Sequence, residues 1–323
     1  MRCKVIYVVK EGKLIASISD GDVRRYVLHE GNANLPLSYI ANYNPRYLIR
    51  YEKERIDEIF TGTEMYSIPI VNYNHEVVEV IFRNGRRVKK KYTLSCLVVM
   101  MAGGKGTRLY PYTKILPKAL IPIGEEPIAE RIIKGFCDYG CKDYYLIINH
   151  KKNMIQAYFD NVQDKYTISY IEEQQPLGTG GGLYLLRGKM EQDFFLTNCD
   201  IIIDADYNEI YNYHVKEENF ITVVAAKYRH VVPYGVIVCS DQYKFGKIQE
   251  KPEINYIINT GMYVVNRELV ELMPQNEKIS FPELIEMFKQ EGKKIGVYTV
   301  EESAYMDMGQ LEELEKMKKK LNV

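Results

Sequence analysis

LVVMMAGGKGTRLYPYTKILPKALIPIGEEP, residues 97–127, is the stretch that decides how the rest of the chain is read. It opens with Leu97-Val98-Val99-Met100-Met101, short, apolar and partly β-branched, which predicts a buried strand. That strand delivers the chain into Gly103-Gly104-Lys105-Gly106-Thr107-Arg108. Glycines without a Cβ let backbone N–H groups approach phosphate oxygens, and Arg108 and Lys118 add positive charge. An anionic, phosphate-rich ligand is implied. Two common phosphate motifs fail on spacing: a Walker loop needs Ser or Thr directly after Gly-Lys, where Gly106 stands, and a dinucleotide fingerprint needs a third glycine where Leu109 stands.

Working outward, the 323 residues predict about two domains, and 46% hydrophobic residues suffice for a buried core. Lys plus Arg and Asp plus Glu both number 43, so no global field recruits nucleic acid or a membrane, and phosphate binding must be local. No apolar run approaches the ~18 residues of a membrane span, and Met1-Arg2-Cys3 opens no secretory segment, so a cytoplasmic location is expected. The six cysteines (3, 96, 137, 141, 199, 239) lack paired metal spacing; Cys137-x-x-x-Cys141 has no second pair, and reduced thiols are expected.

Downstream of Ser95, strand-like runs at 97–101, 144–149, 167–171, 194–198 and 220–226 alternate with helical patterns near 127–139, 152–161, 179–187 and 206–217. Such interleaving predicts an α/β fold with a doubly wound, mostly parallel, Rossmann-like sheet whose ligands bind at the carboxyl ends of the strands. The polar, basic run at 83–94 reads as a linker, which gives domains of 1–90 and 96–323.

The run at 101–127 resembles the signature of the sugar-1-phosphate nucleotidyltransferases: Gly103 through Leu109 as the Gly-Gly-x-Gly-Thr-Arg-Leu turn, Pro111-Tyr112-Thr113, Pro117-Lys118 and Pro122-Ile123. Three later segments extend the resemblance in order. Glu172-Glu173-Gln174-Gln175-Pro176-Leu177-Gly178-Thr179 looks like the nucleoside-reading loop, in which Gly178 lies against base and ribose and the residue five before it meets the base edge. Relatives using UTP or dTTP typically carry glutamine there; here it is Glu173, and an ionised carboxylate only accepts, which suits the two adjacent donors of guanine. A solvated loop acid is the alternative for Glu173. Asn198-Cys199-Asp200 resembles the segment that supplies a Mg²⁺ ligand, with Cys199 where glycine is commoner, and Asp307 in Tyr305-Met306-Asp307-Met308-Gly309 is the implied second ligand. Asp204 and Asp206 form a competing acidic cluster, read as a helix cap near Asp206. Glu250-Lys251-Pro252 and Asn259-Thr260-Gly261 look like the sugar-phosphate half of the site, with Pro233-Tyr234-Gly235 lining it.

The implied reaction is attack of a sugar 1-phosphate on the α-phosphorus of a nucleoside triphosphate, in line with departing pyrophosphate. The nucleophile is largely dianionic already, its second pKa being near ~6, so no side-chain base is needed. The five histidines (29, 75, 150, 214, 230) accordingly sit outside any motif, and His150 reads as structural. Catalysis then rests on positioning and neutralisation. The resemblance implies Lys118 at the α-phosphate, Arg108 and the backbone of Gly104, Gly106 and Thr107 at the pyrophosphate, Gly103 at the nucleotide, Lys251 at the attacking phosphate, and Mg²⁺ on Asp200 and Asp307.

Upstream, strand-like runs at 4–9 and 14–19 precede a helix opened by Asp20-Gly21-Asp22. A second cycle has a helix at 53–60 and strands at 67–71 and 77–82, with Asn74 at the turn. The tandem resembles a pair of CBS units forming a small α+β domain. Ser19-x-x-Asp22 stands where that family reads phosphate and ribose, the second unit lacks the motif at 81–84, and the first begins without its leading helix. An adenine or guanine nucleotide at Ser19 and Asp22 is implied, with a plain helix N-cap as an equal reading. A longer native start and a homo-oligomer are both open. The combination is similar to CBS-linked guanylyltransferases acting on an amino-sugar 1-phosphate such as glucosamine 1-phosphate, with mannose or heptose 1-phosphate open. A uridylyl- or thymidylyltransferase, or a non-catalytic nucleotide sensor, are the alternatives.

Overall fold

In the computed structural model, residues 4–29, 36–49, 55–72, 75–90, 92–162, 166–240 and 243–321 are described. Cys3, the start of the helix expected from Lys53, and the turn expected at Asn74 lie outside them. The chain divides into two units, Met1–Lys91 with Lys318–Val323, and Tyr92–Met317.

In the first unit, β1 (Val5–Lys10) and β2 (Lys13–Ser19) form an antiparallel hairpin followed directly by α1 (Asp20–His29). Then β3 (Leu48–Ile49), α2 (Ile56–Gly62), β4 (Ser67–Val71), β5 (Val77–Phe82) and β6 (Arg87–Lys89) make a four-stranded sheet in the order β3-β4-β5-β6. Leu48, Ile56, Phe60, Ile68, Ile70 and Ile81 pack as its core. The stretch read as a linker is therefore partly an edge strand. Gly85, at φ +78°, turns the chain back after Phe82, and residues 87–89 pair with 79–81, so the lysines and arginines decorate an edge, where charge discourages further strand pairing.

The second unit is built on a seven-stranded sheet. In chain order the strands of this unit are β7 (Leu97–Met101), the short pair β8 (Pro122–Ile123) and β9 (Glu126–Pro127), β10 (Asp143–Ile148), β11 (Thr167–Glu172), β12 (Phe194–Asn198), β13 (Ile201–Ile203), β14 (Ile221–Val231), β15 (Val236–Ser240), β16 (Lys244–Gln249), β17 (Glu253–Val265), β18 (Ile295–Val300) and β19 (Tyr305–Asp307). The main sheet runs β11-β10-β7-β12-β17-β14-β18, parallel except for β17, which is antiparallel to both neighbours.

Both faces are covered, and β12 shows why. Successive strand residues point to opposite faces. Phe194 and Leu196 join Val99, Ile147, Tyr263, Phe281, Leu284 and Phe288 in one core. Phe195, between them, meets Phe136 at 5.1 Å on the other side, where Phe136 stacks on Tyr207 at 4.2 Å. Those partners come from helices on that face. After α3 (Tyr112–Ile115), α4 (Ile128–Cys137) buries Ile128, Ile132, Ile133 and Phe136 along one stripe at helical spacing. It is followed by α5 (Lys152–Phe159), α6 (Gly178–Gly181) and α7 (Tyr207–Lys216), the last capped by Asp206, whose carboxylate accepts from the N–H groups of Asn208 and Glu209. Then come α8 (Leu269–Leu272), α9 (Phe281–Gln290) and α10 (Leu311–Leu321). α9 opens on a Ser280/Glu283 capping box.

The helix expected over 179–187 is instead one α-turn, α6, followed by a 3₁₀ segment, Gly182–Leu186. Four glycines among residues 178–182, each costing about 1 kcal/mol relative to alanine in a helix, leave a regular helix without support.

Candidate active site

The carboxyl ends of β7, β10, β11 and β12 lie along one edge of the sheet, and β7, β11 and β12 each release the chain into a segment singled out in the sequence. After β7, Ala102 donates to Ile147 O at 2.8 Å, and the glycine loop then turns through Gly106, which takes the left-handed conformation at φ +63°. Thr113 Oγ1 donates to Gly106 O at 3.0 Å and fixes the turn. Arg108 follows in a 3₁₀ segment, Thr107–Leu109, anchored by the fully buried Leu109.

After β12 the chain passes the buried Cys199 to Asp200. What brings the second acid to it is the pairing of two three-residue strands. β13 runs antiparallel to β19 with Ile201 opposite Asp307, and Met308 N donates to Asp200 O at 2.9 Å, so two carboxylates 107 positions apart in the chain become neighbours. Lys118, in the 3₁₀ segment Lys118–Leu120, reaches the same point and ion-pairs with Asp200. Burial works against the Lys118 ammonium, but the Asp200 carboxylate outweighs it and its pKa is raised. Asp307 is held above the ordinary carboxylate range, first by burial and then by repulsion from Asp200, against the opposing pull of the Gly309 N–H at 2.7 Å, Lys118 and Arg108.

A cavity of about 250 Å³ opens between these groups, lined by Arg108, Asp200, Asp307, Thr179, Asn259, Thr260 and Gly261 among others. Asn259 Nδ2 donates to the Tyr263 hydroxyl at 2.8 Å, and its Oδ1 accepts from Gly261 N at 3.1 Å. Thr260 is buried, with its hydroxyl committed to Val224 O at 2.6 Å, so it holds the irregularity in the β14–β17 pairing that aims Asn259. Gly261 has φ +86°, and a Cβ there would stand 2.5 Å from Asn198 Nδ2. Asn198, Tyr263, Phe281, Pro282 and Tyr305 also line the cavity. Of these, Asn198 and Tyr305 lay inside segments already singled out, whereas Phe281 and Pro282 arrive from the start of α9 with no local signal.

Glu173 is not a solvated loop acid. It is 6% exposed, its N–H donates to Ile148 O at 3.0 Å, its carbonyl accepts from Asn149 Nδ2 at 2.8 Å, and its Oε1 has no hydrogen-bond partner. The carboxyl group occupies space that two glycines leave open: a Cβ on Gly182 would fall 2.4 Å from Oε1, and one on Gly103 2.9 Å from Oε2. Burial pushes its pKa up to about 7, against a backbone hydrogen bond from Leu177. Gly178 follows at φ +83°, and Thr179 Oγ1 accepts from Phe281 N at 3.1 Å, tying this loop to α9.

Glu250 and Lys251 stand apart from the cavity lining. They are exposed on the turn between β16 and β17, Lys251 at φ +43°, with Glu250 beside Gly235 and Tyr234 exposed nearby. In the first unit, Ser19 and Asp22 bond each other: Ser19 N donates to Asp22 Oδ2 at 2.8 Å and Asp22 N to Ser19 Oγ at 3.2 Å, a capping pattern at the start of α1. Both also line a cavity of about 520 Å³ with Lys4, Tyr7, Arg46 and Tyr66. The described cysteines are unpaired by disulfides, and no helix among the described residues is long and apolar enough to cross a membrane.

Comparison with known proteins gives the family and the fold. Residues 97–322 match the model of the Nucleotidyl transferase family. A mannose-1-phosphate guanyltransferase of Yarrowia lipolytica is 32% identical over 226 residues, covering 66% of this chain and 60% of its own. A bifunctional protein GlmU of Methanococcus aeolicus is 36% identical over 177 residues, 54% of this chain and 41% of its own. The chain thus spans about 60% of the length of the guanyltransferases it matches. In structure it resembles HddC from Yersinia pseudotuberculosis, at TM-score 0.56 and 22% identity over 70% of this chain and 99% of that one; a second HddC structure, complexed with GMP-PN, gives TM-score 0.55. The glycine turn, the paired acids and the seven-stranded sheet all fall within the matched residues, and the chain belongs to the nucleotidyl transferase family.

Proposed function

We propose that this protein transfers a nucleotidyl group from a nucleoside triphosphate, GTP first among them, to a sugar 1-phosphate, releasing pyrophosphate. The observation that carries this reading is the convergence of Arg108, Lys118, Asp200 and Asp307 at the edge of the sheet beside the glycine turn. Two cations and two acids at one point suit a polyanionic reaction that needs charge neutralised and groups aligned. A phosphate oxygen of the sugar 1-phosphate attacks the α-phosphorus, the bond from that phosphorus to the bridging oxygen breaks, and pyrophosphate leaves with the electron pair. Lys118 turns to the α-phosphate. Arg108 and the N–H groups of the 104–107 turn hold the leaving pyrophosphate, and Lys251 on its exposed turn meets the incoming sugar phosphate. Asn259, held by Tyr263, fixes the sugar ring with Gly261 beside it, and Glu250 accepts from sugar hydroxyls.

Asp200 and Asp307 fit a hard divalent cation such as Mg²⁺. They offer only oxygen, and the raised pKa of Asp307 marks a place where the two carboxylates lack positive charge. Bound there by Asp200 and Asp307, such a cation would supply positive charge that neutralises the phosphates.

Guanine is supported by Glu173, a buried carboxyl beside Gly103 whose Oε1 has no hydrogen-bond partner, and by the guanyltransferase relatives. For the sugar, the reading is an amino-sugar 1-phosphate such as glucosamine 1-phosphate; mannose 1-phosphate is the second reading, favoured by the names of those relatives. For the first unit we extend the proposal to an adenine or guanine nucleotide in its cavity, a CBS-type role supported by the cavity's size and by Lys4, Arg46 and Tyr66 on its wall. Pyrophosphate release from a panel of nucleoside triphosphates against hexosamine, mannose and heptose 1-phosphates tests the transferase reading. GTP should lead. Equal rates with UTP would remove the Glu173 argument, and no product from any pair would leave a nucleotide sensor as the better description.

A further inference from the structure

Unlike β7, β11 and β12, β10 releases the chain into a turn, Asn149-His150-Lys151, that lies outside every motif of the sequence. That turn nevertheless touches both the nucleoside loop and the glycine turn. Asn149 Nδ2 donates to Glu173 O at 2.8 Å, a Cβ on Gly103 would stand 3.3 Å from Asn149 Cβ, and His150 N donates to Gly103 O at 3.4 Å. Lys151 then reaches the far end of the glycine segment, where its Nζ donates to Thr113 O at 3.0 Å and to Lys114 O at 2.7 Å.

Both carbonyls belong to α3, and the last carbonyls of a helix have no partner inside it. A cation is a suitable cap. Here the cap has a further reach, because Thr113 holds the glycine turn. Its hydroxyl donates to Gly106 O at 3.0 Å. A Cβ on Gly106 would stand 2.8 Å from Thr113 Cγ2 and 3.1 Å from Lys118 Cβ, so Gly106 is wedged between Thr113 and the stem of Lys118. One chain of contacts thus runs from the Lys151 ammonium, through α3, to the turn and the lysine that face the phosphates. The backbone points the same way. Lys151 has φ +54°, in the left-handed region, which glycine adopts freely and a residue with a Cβ only at a cost. What lysine adds there over glycine is the pair of bonds to α3.

We propose that Lys151 is a positioning residue for the triphosphate: its ammonium pins α3 and, through Thr113 and Gly106, holds the glycine turn and Lys118 in the geometry that receives phosphate. The effect on turnover rests on the transferase reading, whereas the pinning does not.

Two measurements on the full chain keep these apart. The first is hydrogen exchange of the ligand-free protein. The amides of Leu109, Lys114 and Leu116 are bonded within the glycine segment, to Gly106 O, Pro111 O and Tyr112 O. In Lys151→Met and Lys151→Gly alike they should exchange about tenfold faster, with the amides of β12 unchanged. Lys151→Arg, which can still donate to two carbonyls, should restore the wild-type rate. The second is steady-state turnover. In the methionine and glycine variants kcat/KM for GTP should fall by about a hundredfold, the scale of a misplacement of about 1 Å, while KM for the sugar 1-phosphate holds and arginine recovers most of the loss. Unchanged exchange in either variant overturns the proposal whatever the turnover. Faster exchange with unchanged kcat/KM for GTP overturns it too, since Lys151 would then only cap α3. Faster exchange in a protein whose wild type turns over no pair of substrates supports the pinning and removes the transferase reading instead.

Discussion

Replacing Glu173 with glutamine separates the cost of this residue from its use. In the folded chain its carboxyl titrates near 7, against an ordinary 4.5, because burial disfavours the charge. The folded state therefore holds this proton more tightly than the unfolded state. Its stabilising share is complete below pH 4.5, is lost as pH rises towards 7, and is gone above that. Linkage at about 1.4 kcal/mol per pH unit puts the loss between pH 5 and pH 8 at about 2.5 kcal/mol. Glutamine has no charge to lose. Its own unsatisfied amide adds a cost of about 1–3 kcal/mol, but that term does not change with pH and cancels in the comparison. The expected result is that Glu173→Gln gains on the wild type by about 2.5 kcal/mol between pH 5 and pH 8. For a domain of this size that is a relative rise in Tm of about 5–10 °C. Thermal unfolding of both chains, followed by circular dichroism at the two pH values, measures it. A difference in Tm that stays constant with pH would refute the reasoning, because it would mean that Glu173 ionises as freely in the folded chain as in the unfolded one. On the functional side, the same variant should move nucleotide preference away from GTP and towards UTP or dTTP.

Other substitutions probe the remaining parts of the site. Asp307→Asn should reduce product formation by at least about a hundredfold, the scale of losing one electrostatic group at a phosphoryl centre, while the far-ultraviolet spectrum is retained. Lys118→Met leaves the largely buried Asp200 carboxylate without its ion-pair partner and should destabilise the fold by about 3 kcal/mol in urea unfolding. Adding Asp200→Asn to that variant should recover most of the stability and none of the turnover; if stability is not recovered, Lys118 is held by something other than the pair. Ser280→Ala removes the capping box of α9 and should cost about 1 kcal/mol with GTP preference unchanged, read from the same unfolding curves and the nucleotide panel.

The parts of the site legible in the sequence are those whose chemistry demands a local pattern. The glycine turn declares itself because close backbone approach to phosphate needs missing Cβ atoms within a few residues, and the strands around it declare themselves by apolar runs of strand length. Asp200 and Asp307 were paired only through resemblance. Their physical cause, the β13–β19 bridge, consists of two three-residue strands far apart in the chain, too short for any periodic signal. Glu173 shows a sharper limit. In Glu172-Glu173-Gln174-Gln175 it looks like one more polar loop residue, and what buries it is space left by Gly103 and Gly182, one 70 residues upstream and the other in the following segment. The helix read over 179–187 does not form as a regular helix for a related reason: the apolar spacing of Leu183 and Leu186 fits a helix, but Gly180, Gly181 and Gly182 at its start leave it without support. Within the run read as a linker at 83–94, the units do divide between Lys91 and Tyr92, but residues 87–89 form an edge strand, because basic composition marks solvent exposure, which an edge strand shares with a connector.

The charges of the free site also explain why its two halves should fill together. Lys118 is committed to Asp200, so it can turn to a phosphate oxygen only by leaving a largely buried carboxylate unpaired. Breaking such a pair costs several kcal/mol unless Asp200 acquires another positive partner at the same time. Asp307 is likewise short of positive charge. Each exchange removes the penalty of the other: a phosphate that draws Lys118 away makes Asp200 and Asp307 better ligands for a hard cation, and carboxylates already neutralised by a cation release Lys118 to the phosphate. Coupling of this kind is reciprocal by thermodynamic necessity. On the proposed reading, the ion pair would favour nucleotide and divalent ion jointly over either alone, with the short β13–β19 bridge holding the two acids side by side.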